Sequence, residues 1–97
     1  MTRNAFVFCT GYNGGTAIVD RKLEGQYGRL GTRQLFAEGL YKPAVASAIF
    51  AKNDADLDWL LQEYGRITGQ ELRDIDALKR TVGVGEVYQT ILKTSYL

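Results

Sequence analysis

Between Asp54 and Val82, apolar residues recur at helical spacing. Leu57, Leu60, Leu61, Tyr64 and Ile67 form one stripe and Leu72, Ile75, Leu78 and Val82 a second, with polar residues between. Asn53 and Asp54 suit an N-cap, because a short side-chain oxygen accepts the free N–H groups of the first turn. Asp56 and Asp58 place negative charge where the helix dipole favours it. Gly65 suits a left-handed stop, followed by Ile67 as an apolar contact. Thr68-Gly-Gln-Glu71 fits a capping box for the second helix. Lys79, Arg80 and Gly83 are C-terminal signals. Asp76 and Arg80, four apart, are placed to pair on the exposed face. The pattern predicts two helices joined by a short turn.

Elsewhere the pattern is shorter-ranged. Asn4–Thr10 is an apolar, β-rich run and reads as a buried strand. Gly11–Gly15 is turn chemistry, and Thr16–Arg21 is again β-branched. Together they predict a hairpin with a five-residue loop; a strand, glycine loop and helix suited to a phosphate is the alternative. Leu23–Gly31, with three glycines, reads as a loop. Thr32–Tyr41 fits a short helix capped by Thr32, with a strand as the alternative, and Lys42-Pro43 should end it. Ala44–Ala51 reads as a strand with Ala46, Ala48 and Phe50 on one face. Glu86–Leu97 carries Val84, Val87, Tyr88, Ile91 and Leu92 at helical spacing and reads as a third helix, with a β-branched content that also suits a strand. The expected fold is α+β: one domain over residues 1–97, with a small antiparallel sheet from the N-terminal half packed against two or three C-terminal helices.

Composition narrows this picture. Hydrophobic residues at 45% and charged residues at 24% are ordinary for a soluble domain of 97 residues. No apolar run reaches the ~18 residues of a membrane span, and Phe6–Cys9 is too short for a signal-peptide core. With a single cysteine, these features make a cytoplasmic protein with no membrane association the expectation. The net charge of +1 is unevenly spread. Residues 1–53 hold seven bases against three acids, and residues 54–82 hold four bases against seven acids.

Chemistry is mostly excluded. Without histidine there is no Ser-His-Asp or Cys-His arrangement and no His-ligated zinc. A phosphatase-type loop after Cys9 needs Arg where Gly15 stands, so Cys9 reads as a buried residue of strand one. A Walker loop needs Lys at the same place. Asp54-Ala-Asp56-Leu-Asp58 opens like a calcium loop, but Trp59 and Gly65 occupy the positions of its required Gly and Glu. Residues 70–95, chiefly Lys79–Leu92, resemble a helix-turn-helix loosely. Lys79 replaces the usual small residue, and Lys93 is the only base after Gly83.

A non-enzymatic interaction protein follows, needing no cofactor or metal: an inhibitor or adaptor of the size found in phage and mobile elements. A DNA-binding regulator using residues 70–95 is the alternative. The expected partner is a protein, with nucleic acid second; a homodimer is compatible. The binding segment is Arg21–Arg33, where Arg21, Lys22, Tyr27, Arg29 and Arg33 combine positive charge with an aromatic anchor.

Overall fold

The computed structural model describes residues 1–87, 91 and 93–96. Among them the order is α1 (Arg3–Val7), β1 (Cys9–Asn13), β2 (Thr16–Val19), α2 (Arg21–Tyr27), α3 (Thr32–Ala37), α4 (Tyr41–Ala51), α5 (Asp54–Thr68), α6 (Ile75–Val82) and β3 (Lys93–Tyr96). The fold is α+β, with helices packing on a three-stranded sheet of order β1-β2-β3. The sheet is mixed and not purely antiparallel. β1 and β2 form a hairpin, and β3 lies parallel to β2 with Thr16 opposite Lys93 and Val19 opposite Tyr96. Helices occur throughout the chain, not in its C-terminal half alone.

The hairpin is tighter than expected. Asn13 faces Thr16 across a turn of Gly14 and Gly15, and the register slips once between Cys9 and Gly11. Gly14 has φ +60°, a region open to glycine at no steric cost. Asn4–Val7 is helical, not strand. Thr2 caps this first turn by accepting from the N–H of Ala5 at 3.2 Å. The Arg3 guanidinium then donates to Leu30 O at 2.6 Å, Ser47 Oγ at 3.1 Å and Gly28 O at 3.2 Å. These bonds overrule the β propensity of Phe6-Val7-Phe8, and all three side chains are buried. Burial pushes the Arg3 guanidinium below its usual range.

Residues 21–27, expected as a loop, form α2. Asp20 caps it by accepting from the N–H of Leu23 at 2.9 Å. Leu23 and Tyr27, four apart, pack on the core. Gly28 follows as the C-cap, and the position requires glycine because a Cβ there would lie 2.4 Å from Glu24 O. α3 is the short helix expected, but it stops at Ala37 and does not reach Tyr41, which opens the next helix; Gly31, not Thr32, is its cap, and the Gly31 N–H donates to Gln34 Oε1 at 2.9 Å.

α4 is the largest correction, since Ala44–Ala51 is helical. Pro43 lies in the first turn of α4, which begins at Tyr41, instead of ending the helix before. In the first turn its missing N–H would have no helical acceptor. Pro43 to Ala48 are all buried. A helix enclosed on every side has no polar face, so neither helical nor strand periodicity marks it. It packs against α1, α3, α5 and α6.

α5 begins as expected, with Asn53 Oδ1 accepting from the N–H of Asp56 at 3.0 Å. It runs through Gly65 and stops at Gly69, which is left-handed at φ 71°. The returning chain explains Gly65, because a Cβ there would lie 2.9 Å from Gln70 O. Ile67 is therefore inside the helix and exposed. The capping box does not form. Thr68 donates back to Tyr64 O, and Asp74 caps α6 by accepting from the N–H of Ala77. The ion pairs among the described residues are Arg33–Asp56 and Arg66–Glu63, so Asp76 and Arg80 do not pair. The Arg66 guanidinium, 2.6 Å from Glu63, lowers that carboxyl from its ordinary value. Gly83 closes α6 as expected. Within 86–97, the described residues 93–96 form a strand; residues 88–90, 92 and 97 lie outside the described residues.

Enclosure of α4 gives a direct test. Ala48→Leu should cost about 1–3 kcal/mol, because a full interior has no room for the added methyl groups. Ala51→Leu, on the exposed end of the same helix, should be near neutral. Thermal melts of both variants check this; equal effects would contradict the enclosure.

Candidate interaction surface

The five residues Arg21, Lys22, Tyr27, Arg29 and Arg33 do not make one patch of equals. Arg21 and Lys22 open α2 and are exposed, and Arg29 is exposed in the turn after it. Tyr27 is half-buried and packs against the core, so it braces the helix more than it offers an anchor. Arg33, on α3, is turned toward α5. Its guanidinium lies over the Trp59 ring at 4.6 Å and its Nε donates to Asp56 Oδ1 at 3.1 Å. Trp59 also meets Phe36 edge-on, with ring centroids 5.2 Å apart. Arg33 is therefore occupied in joining α3 to α5.

The acids of the segment are occupied too. The Asp20 carboxylate caps α2, and Glu24 accepts from Asn4 Nδ2 at 3.4 Å. Neither Lys22 nor Arg29 has an ionic partner among the described residues. Arg21 lies over the exposed Tyr96 ring at 5.8 Å, which brings the end of β3 beside the start of α2. Sequence distance hid this contact. Parallel pairing of β3 with β2 creates it, because Tyr96 sits opposite Val19, two residues before Arg21.

Three hollows lie elsewhere, and Lys42 borders each. One of about 200 Å³ is lined by Phe6, Cys9, Tyr12, Gly83 and Val84. A second of about 240 Å³ is lined by Val7, Cys9, Asp20 and Leu23. A third of about 360 Å³ is lined by Leu40, Tyr41, Tyr64 and Val82. Cys9 is in β1 as expected, at its first position and half-buried instead of buried. Its thiol donates to Gly11 O at 3.0 Å. The partner of that hydrogen bond is a backbone carbonyl, which is not a base that could activate the sulfur. Among the described residues no group of three or more His, Cys, Asp or Glu side chains could hold a metal ion. None of their helices is long and apolar enough to cross a membrane.

The helix-turn-helix is not formed over its described part: residues 84–87 are without helix after Gly83, and 93–96 are strand. Comparison with protein-family models, with curated proteins and with solved structures finds no match.

Arg33 and Arg29 should behave differently when changed. Arg33→Ala removes a cation–π contact and an exposed ion pair, and should lower stability by about 1 kcal/mol and shift the Trp59 emission. Arg29→Ala should leave both unchanged. Melting curves and intrinsic fluorescence of the two variants decide the point.

Proposed function

We propose that this chain is a small non-enzymatic interaction protein, of adaptor or inhibitor type, that docks an acidic protein surface through α2 and the turn after it. One observation carries the reading. Glu24, the one acid of the segment, and Asp20 just before it are engaged in internal hydrogen bonds, while Arg21, Lys22 and Arg29 stay exposed. Such a surface attracts carboxylates over a distance of about a Debye length and favours encounter and orientation more than raw affinity. A cytoplasmic setting belongs to the same reading, since a lone unpaired thiol suits a reducing compartment.

A protein is favoured over duplex DNA by count. Phosphate contacts supply most of the affinity for duplex DNA, and this face offers three bases without an ion pair among the described residues. The DNA-binding alternative would also have to work without the helix-turn-helix expected over residues 70–95.

The test compares the wild-type protein with the triple variant Arg21→Glu, Lys22→Glu, Arg29→Glu, each immobilised and exposed to a lysate of the source cell. Acidic proteins retained by the wild type at low salt should be lost at high salt and lost by the variant, with the melting temperature nearly unchanged. Equal capture by both proteins would place the interface elsewhere. Retention of duplex DNA by the wild type alone would favour the nucleic-acid reading.

A further inference from the structure

We infer that the outer edge of β3 receives an extended acidic segment of the partner protein as an added strand. The inference rests on the reading of α2 as the charged docking face and names how that partner engages. Among the described residues β3 has one neighbour in the sheet, β2, and its other edge has no partner strand. All four residues, Lys93 to Tyr96, are exposed, with the Arg21 guanidinium over the Tyr96 ring. A strand in that condition is a template for main-chain pairing.

Charge selects the occupant. β3 contains Lys93 and no acid. Its far end carries Tyr96, with the Arg21 guanidinium 5.8 Å from the ring centre and Lys22 next along the chain. The nearest acid in sequence, Asp20, is turned to its own helix as a cap. A second copy of β3 would bring lysine against the same basic group, and an edge lysine is a known device against self-pairing. Glutamate or aspartate side chains on an incoming strand meet opposite charge at both ends. The backbone would supply affinity, and Lys93, Arg21 and Lys22 would supply the choice of partner and its register.

The experiment uses the full chain and two labelled peptides of equal charge: one of alternating glutamate and valine, the other a glutamate–alanine helix. Binding is read by fluorescence polarisation at low salt. Amide signals of residues 93–96 are followed in isotope-labelled protein. The alternating peptide should bind, shift those amides and slow their exchange, and the helical peptide should bind at least roughly tenfold more weakly. Thr94→Pro and Ser95→Pro are made separately. Alternate residues of a strand point their N–H to opposite edges, so one variant blocks the outer edge and keeps the β2 pairing. That fold-preserving variant should weaken the alternating peptide by roughly tenfold or more.

Equal binding of the two peptides, or undisturbed binding by the fold-preserving proline variant, overturns the added strand and leaves the charged α2 face standing. Unshifted amides at 93–96 overturn it even if both proline variants unfold. Failure of both peptides to bind overturns it as well. Loss of binding in the proline variant with none in the α2 charge variant sinks the α2 reading and keeps the edge. Sedimentation of the protein alone as a dimer that the proline abolishes would show that a second copy takes the edge, against the inference.

Discussion

Enclosure of α4 is the constraint from which the rest of the structure follows. Four other helices pack against this single helix, and its middle carries Ala44, Ala46, Ser47 and Ala48. Small side chains bring neighbouring backbones close, so the flanking elements contribute the large ones: Phe6, Leu35, Phe36, Leu60 and Leu78. Such an arrangement fills space with bulk from the outside inward. It leaves the helix itself without an amphipathic signature, and it ties α1, α3, α5 and α6 to one element.

Arg3 serves the same constraint by polar means. Its guanidinium reaches the carbonyls of Gly28 and Leu30 and the Ser47 hydroxyl, so one side chain joins α1, the α2–α3 turn and the middle of α4. Ser47, the one buried polar residue among those described, accepts from Arg3 and bonds with Thr32 at 3.0 Å. A guanidinium with five donors can satisfy several scattered acceptors at once, and a lysine could not hold the same fork. Partial desolvation lowers its proton affinity, but an arginine stays charged throughout the working range. Most of the basic half is therefore not alike in role. Arg3 is structural, Arg33 joins α3 to α5, and Arg21, Lys22 and Arg29 stay exposed without an ion pair among the described residues.

The proposed interaction surface was legible in part. Its bases were visible as an excess over acids in residues 21–33, and that excess became informative only when Asp20 and Glu24 proved to be turned inward. Asp20 carried a readable signal, since an acid three residues before Leu23, with Leu23 and Tyr27 four apart, is a helix start. Three glycines in the segment hid it. Nothing local pointed to Tyr96 or Lys93, which reach the site through a parallel pairing across most of the chain.

By itself the sequence determined the features that are local: the start of α5 at Asn53, the stop of α6 at Gly83, the glycine turn of the hairpin, and the α+β class. Each depends on a few residues whose preferences agree. Tertiary structure decided the others. Phe6-Val7-Phe8 prefers strand and enters a helical turn because Arg3 is pulled inward. Ala44–Ala51 has no period to read because burial on all sides removes the contrast that periodicity needs. Gly65 resembles a helix end and lies within the helix, its small size required by the chain returning at Gln70. In the first two cases contacts from distant parts of the chain outweighed a local preference of well under 1 kcal/mol per residue, and at Gly65 the contact comes from the chain five residues on.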